Sequence, residues 1–423
     1  MNSDQATLTD FLSSWREVEQ IGATEAGGVE RQAATPQDKE TRDWFRAFAA
    51  ARGWETRVDG IGNLFALVEL TPGAPYILSG SHLDSQPRGG RFDGAYGVIA
   101  ALHAAERAQA HFAETGTTPR FNIAVVDWFN EEGGRFAPSI MGSSVYTGLK
   151  DREEMLAVTD LDGVTVREAL SAIGYLGDDE PPTPAGYVEI HIEQGRILER
   201  EGITLGAVDS SWYTQKLDVE ILGEQSHTGA TLMEDRRDAL YAASFVIIAF
   251  NEITKEYAPE ALVSSVGQIV VEPNSPIVVN RRVHLVGDLR ANDPQIVKDA
   301  RDKLMARCQE IAEEHDLRII ATDFDIRPNL YFPEEGVELQ EKVASDLGVE
   351  IRRIQTMAGH DSIAMNTMVP SVMMFIPSID GVSHCEREFT SDEDLLVGLD
   401  ALTGMLVRLA EGELDGVSPA PRY

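Results

Sequence analysis

Cysteine is nearly absent. Cys308 and Cys385 are the only two in 423 residues, too few for a disulfide framework, which points to a reducing, cytoplasmic setting. Positive charge is scarce as well: Lys plus Arg number 36 against 70 Asp plus Glu, a formal net charge of −34. That balance leaves no basic footprint for a nucleic-acid backbone. Long apolar runs are missing too, and the longest, near Ala242 to Phe250, is about half of what a membrane span requires. The opening segment MNSDQATLTDFLSSWREVEQ mixes charges throughout and lacks the apolar stretch of a signal peptide. No repeat, Gly-x-Ser-x-Gly elbow, His-Glu-x-x-His pair or phosphate-cradling loop occurs, so serine-esterase, zincin and nucleotide chemistry lose their usual marks.

What remains is an ordinary globular composition, 43% hydrophobic and 25% charged, over a length that suits two domains. The first half alternates strand-like and helix-like stretches. Strands are predicted at Leu64–Leu70, Tyr76–Ser81, Ile123–Phe129 and Val188–Ile192, with an alanine-rich helix over Gly94–Ala110. From about Tyr213 the texture changes to strand Lys216–Leu222, helix Asp235–Ala258, strands Val263–Val271 and Val283–Leu289, helix Pro294–Glu314 and strand Leu317–Ile326. The chain then returns with helix Gly336–Leu347, strand Pro370–Ile376 and helix Asp392–Leu409. The expected architecture is an α/β catalytic domain, a mixed sheet with helices on both faces, formed by residues 1–212 and 328–423. An inserted α+β domain would occupy residues 213–327.

Five segments carry candidate chemistry: GSHLDSQPRGGRFDG around His82, WFNEEGGRF around Glu131, YVEIHIEQG around His191, EQSHTGA around His227 and GVSHCERE around His384. Histidines and carboxylates fall at predicted strand ends, where open α/β sheets bind ligands, and in Gly-rich turns that let backbone close around a site. Imidazole mixed with carboxylate suits zinc, manganese, cobalt or nickel better than calcium or magnesium. A pair of cations needs a shared carboxylate, and Asp93, between Gly90 and Gly94, is the natural candidate. Of the adjacent Glu131 and Glu132, one can bind metal while the other acts as a base on water. Four further histidines, His103, His111, His284 and His315, sit on predicted helix faces or an exposed strand and are read as structural.

These segments resemble those of the hydantoinase/carbamoylase group of amidases, which includes N-carbamoyl-L-amino acid hydrolases, beta-ureidopropionases and allantoate amidohydrolases, within the aminoacylase-like dinuclear metallohydrolases. The likeness runs from about Gly22 to Leu406, and GSHLDSQPRGGRFDGAYGV, NEEGGRFAPSIMGS and HIEQG in this order carry it. It implies that His82, Asp93 and His191 hold one divalent metal ion, and Asp93, Glu132 and His384 a second. It further implies Glu131 as general base, Asp84 as the carboxylate orienting His82, and His227 as the oxyanion donor. Gln194 and Arg290 would contact a small substrate bearing a carboxylate, Arg290 by a forked pairing. His360, in AGHDS, is a candidate substrate contact or a supporting group. The inserted domain would act as lid and as homodimer interface. The same ligands would equally serve a deacylase or dipeptidase of the superfamily. A binding or scaffold protein that had lost catalysis would lack a ligand or the base, and none is lacking.

Four positions depart from the group's pattern, all on the substrate side. Counting thirteen back from Arg290, where the group carries Asn, reaches Ile277, and Asn280 stands where Pro is usual. Leu232 replaces a Pro, Met357 a Gly, and Glu386 a Pro. Ile and Met in those places make a more apolar pocket, so the expected substrate is bulkier or less polar near its amide than carbamoyl-β-alanine or allantoate. Rates across a panel of carbamoyl and acyl derivatives check this: apolar side chains should lead, and a strong preference for allantoate would contradict it.

Overall fold

A computed structural model of the chain describes residues 3–421, so the outermost residues of the expected domain, 1–2 and 422–423, lie outside it. The chain divides into two compact units, one formed up to Ser210 and again from Tyr331 onward, the other by Ser211–Leu330. The first unit contributes strands β1 (Glu55–Val58), β2 (Leu64–Val68), β3 (Tyr76–Ser81), β4 (Asn122–Asp127), β5 (Pro184–Ile192) and β6 (Leu205–Ser211). The second holds β7 (Tyr213–Leu222), β8 (Ser226–His227), β9 (Val263–Glu272), β10 (Val278–Val279), β11 (Arg282–Ala291) and β12 (Arg318–Arg327). Strands β13 (Ile351–Thr356) and β14 (Ser371–Ile376) belong again to the first.

The first unit is the expected α/β fold. Its sheet runs β1-β2-β4-β3-β5-β14-β6-β13, parallel through the middle where β4 pairs β3, β3 pairs β5 and β5 pairs β14, and antiparallel between β1, β2 and β4. Strands β2, β4 and β14 are buried at every position, as a sheet covered on both faces requires. The helices Ala95–Thr115 and Asp392–Glu411 supply much of that cover. The four central parallel strands end together, and each runs into one of the candidate segments: β3 into His82, β4 into Glu131, β5 into His191 and β14 towards His384.

In the second unit four antiparallel strands lie in the order β12-β7-β11-β9. Burial alternates along β11 and along β7 from Gln215 onward, so Leu217, Val219, Ile221, Val283, Leu285 and Leu289 form one apolar face. Helices Ala239–Glu252 and Pro294–Glu314 share that core. The predicted helix Asp235–Ala258 is shorter than expected because the Asp238 side chain caps it, accepting from the backbone N–H of Leu240 and Tyr241. Upstream, Met233–Asp235 is a separate single turn. No helix among the described residues is long and apolar enough to cross a membrane.

Beneath the ends of β3 and β4 lies a buried ionic knot. Arg42 is fully buried; its Nε donates to Asp38 Oδ1 at 3.0 Å and its Nη1 to the Gly62 carbonyl at 2.8 Å. Its Nη2 faces Asp127 Oδ2 at 3.3 Å, while Asp127 accepts the Leu83 N–H at 2.9 Å. Burial pushes the Asp127 carboxyl up to about 6 even against the pull of Arg42. Removing the guanidinium leaves two carboxylates in a dry interior. Arg42→Ala should therefore cost about 3–5 kcal/mol in a denaturant titration; a loss below about 1 kcal/mol, the range of exposed pairs, would contradict the reading.

Candidate functional site

The candidate ligands lie at the strand ends and in the loops beyond them. After β3, His82 is buried, and its Nδ1 meets the Asp84 backbone carbonyl at 2.9 Å. In β5, His191 is likewise buried with Nδ1 at 2.8 Å from the Ile192 carbonyl. A carbonyl only accepts, so both rings carry the proton on Nδ1 and present the Nε2 lone pair inward. Gly94 donates its N–H to that lone pair on His191 at 3.1 Å. It also takes a positive φ of 63°, and a Cβ there would stand 2.3 Å from the His82 ring. No other residue type fits that approach.

Asp93 sits where these groups converge. Its Oδ1 lies 3.0 Å from His191 Nε2 and 3.6 Å from His82 Nε2, and its Oδ2 lies 3.2 Å from His384 Nε2. Glu132 Oε2 is 3.3 Å from the same His384 nitrogen. His82, Asp93 and His191 offer ligand atoms all within 4.8 Å of one another, and so do Asp93, Glu132 and His384. The carboxylate common to both groups turns one oxygen to each. An imidazole lone pair and a carboxylate oxygen repel unless a proton or a metal cation lies between them, and mixed N/O donors suit a divalent transition ion. The residues present thus fit a pair of such ions. With no metal ion between them, the same carboxylates draw a proton onto the rings. Burial alone would lower His82, yet Glu131, Asp93 and Asp84 hold it well above the usual imidazole range. Glu132 and Asp93 raise His384 to about 10 against partial burial.

Glu131 stands beside this cluster, with Oε2 at 3.4 Å from His82 Nε2. Burial, helped by Glu132 and Asp93 against the pull of His82, pushes it up to about 7. The turn that delivers it is strained: Asn130 adopts φ 51°, held by its Nδ2 donating to the carbonyls of Phe136 and Pro138. Asn is among the few side chains that tolerate that region.

Several expected roles shift in detail. The Asp84 carboxylate lies 3.6 Å from His82 Nδ1; its carbonyl makes the closer contact, and the carboxylate also accepts the Glu131 N–H at 3.2 Å. The turn geometry puts the backbone nearer to the ring than the side chain. His360 is buried with its Nε2 at 3.1 Å from Thr356 Oγ1. Its ring packs edge-on against the candidate ligand His191 at 4.6 Å. Gln194 adopts φ 59° and donates from Nε2 to Asp93 Oδ2 at 2.6 Å, while its buried Oε1 has no hydrogen-bond partner. Sequence reasoning missed Glu388, buried behind Asp93, and Glu189, which takes the Ser81 hydroxyl and the Ser362 N–H at 2.8 Å each. Both were visible only as acidic residues near ligand histidines.

His227 and Arg290 belong to the second unit. The His227 Nδ1 accepts from the backbone N–H of Gly229 at 3.0 Å and of Ala230 at 3.1 Å, which leaves the proton on Nε2 as a donor. Arg290, on β11, pairs with Asp288 through a 2.7 Å contact.

The family profile described as Peptidase family M20/M25/M40 matches residues 78–408. The chain belongs to this family. Among M20-family relatives, a Mycolicibacterium smegmatis protein named only as a hydrolase is 50% identical over 412 residues, 96% of this chain and 94% of its own. An N-carbamoyl-L-amino-acid amidohydrolase of Rhizobium meliloti is 33% identical, covering 94% of this chain and 95% of that one. An allantoate amidohydrolase of Escherichia coli is 32% identical over 92% and 95%. A hydantoinase/carbamoylase family amidase from Burkholderia vietnamiensis superposes with a TM-score of 0.90 at 35% identity, covering 95% of this chain and 97% of that one. The resemblance read from the motifs is thereby established, and this M20-family chain is a hydrolase of C–N bonds.

Gly94→Ala tests the geometry. The added Cβ at positive φ should push the His82 ring aside and cost about 1 kcal/mol or more in unfolding free energy. It should also shrink the thermal stabilisation given by added manganese or zinc; an unchanged cation response would contradict the placement of His82.

Proposed function

We propose that this chain hydrolyses the linear ureido or amide bond of an N-carbamoyl, or N-acyl, L-amino acid with the help of two divalent cations. The observation that carries the reading is the division of Asp93, one oxygen towards His82 and His191, the other towards His384. His82, Asp93 and His191 would hold one ion, and Asp93, Glu132 and His384 the other. When bound, the ions polarise the scissile carbonyl and make a water acidic enough to lose a proton near neutral pH.

The remaining work falls to the chain. Glu131, buried and pushed up to about 7, is suited to take a proton and return it to the leaving nitrogen. His227, with Nδ1 occupied by two backbone amides, donates from Nε2 to the oxygen that gains charge. Arg290 offers a fork for the substrate carboxylate, exchanging Asp288 for it. Gln194 brings an unpartnered amide oxygen, an acceptor for an N–H of the substrate. The amidohydrolase names among the relatives support the substrate class. Residues 213–327 serve in this reading as lid and homodimer interface; exposed Tyr241, Ile248, Val263 and Ile269 on one helix and the edge strand β9 support the latter.

Metal-dependent turnover tests the proposal. Chelated protein resupplied with manganese, zinc, cobalt or nickel should release ammonia from N-carbamoyl-L-amino acids. Glu131→Gln should lower kcat by about 100-fold or more while cation binding stays as in the wild type. Turnover of N-acyl amino acids or dipeptides alone would move the chain to the deacylase reading. Turnover unaffected by chelator would overturn the two-cation mechanism.

A further inference from the structure

Two loops bring the shared aspartate and the half-exposed His384 together: Gly90–Gly94, ahead of the helix Ala95–Thr115, and the segment 383–388, ahead of the helix Asp392–Glu411. Neither loop is held by strand pairing. His384 itself is strained, with φ 57°, so something must keep it there.

That something is one buried carboxylate. Glu388 is 2% exposed. Its Oε1 accepts the backbone N–H of Phe92 at 2.7 Å and of Asp93 at 3.0 Å. Its Oε2 accepts the Ser383 hydroxyl at 2.8 Å, and the same Ser383 Oγ lies 2.7 Å from Asp93 Oδ2. Glu388 therefore spans from the first loop's backbone to the second loop's side chain, and through Ser383 reaches the aspartate oxygen that faces His384. The space is reserved for it, since a Cβ on Gly90 would fall 2.0–2.1 Å from the Glu388 carboxylate. A second contact joins the same two loops, with the Phe92 and Phe389 rings edge-to-face at 5.9 Å. Oε1 is taken up by two amides, and Oε2 and Asp93 share the one Ser383 hydroxyl proton between them, so Glu388 is not a ligand in waiting.

We propose that Glu388 is a positioning residue for the cation shared by Asp93, Glu132 and His384, fixing the separation of Asp93 and His384 through the Phe92–Asp93 backbone and Ser383. The inference rests on the two-cation reading above. It assigns to span, rather than to charge, the property that matters. A glutamine has the same reach: its carbonyl can accept both backbone amides, while its amide donates to Ser383, whose hydroxyl then donates to Asp93. An aspartate keeps the charge but is one methylene too short to meet both loops.

The test counts and titrates manganese on the full chain by mass spectrometry and calorimetry, with thermal unfolding of the metal-free proteins alongside. Wild type should hold two ions. Glu388→Gln should hold both with affinities within about threefold, whereas Glu388→Asp should keep one ion and bind the other about 10–100-fold more weakly, the range for losing a partner that orients a ligand. Glu388→Ala should do the same if it folds, and Glu388→Asp decides the matter if it does not. Unchanged binding of both ions in Glu388→Asp, equal weakening of both, or a Gln variant weaker than the Asp variant would overturn the proposal. A wild-type chain that holds fewer than two ions would instead overturn the two-cation reading, and this inference with it.

Discussion

Everything at the strand ends depends on how one buried carboxylate, Asp93, is shared. Burial works against its charge, yet His191, His384 and His82 hold it well below the usual carboxylate range. Around it stand Asp84, Glu131, Glu132, Glu189, Asp361 and Glu388, most of them buried. Carboxylates in such numbers repel one another in a low-dielectric interior, and burial drives Asp84 and Asp361 well above their ordinary values. The His82 and His191 rings keep a proton on Nδ1, against backbone carbonyls, and turn Nε2 toward Asp93. A cluster so arranged is stable when positive charge occupies its centre, and the fold spends its parallel strands, its strained turns at Asn130, Gln194 and His384, and its buried Arg42 on holding it open.

Much of this was legible in the sequence. Strand Tyr76–Ser81 and helix Pro294–Glu314 fall where their composition places them, because their apolar periods are unambiguous and the helix starts at an Asp-Pro cap. The placing of His82 and Asp93 was legible because short residue spacing pins them to a Gly-rich loop after a strand, and that of His191 because it closes one. Strands β1, β6 and β13 escaped, being short or at the sheet's margins, where partners rather than propensity decide. The Asp84 contact went to the backbone, and a sequence pattern cannot distinguish a residue's carbonyl from its carboxylate. Glu388 escaped because its partners lie almost 300 positions away, and only the emptiness at Gly90 hints at it.

The second unit has an ordered polar turn and a charged sheet face of its own. The His227 turn settles the tautomer through two backbone amides, and Arg236 ties that turn down by donating to the carbonyls of Thr228 and Thr231. On the sheet face away from the helices, Lys216, Asp288, Arg290, Asp325 and Arg327 pair among themselves. These charged side chains are thus prearranged on rigid strands, which lowers the cost of ordering them. The departures at Leu232 and Ile277 are both largely exposed, and the Ile277 carbonyl accepts the Thr228 N–H in the His227 turn.

The account's central claim is that two cations share Asp93, and anomalous diffraction from crystals grown with manganese or zinc tests it most directly. It predicts two peaks per chain about 3.5–4 Å apart, one against His82 and His191, the other against Glu132 and His384, with Asp93 reaching both. A single peak, or peaks on other residues, would contradict it.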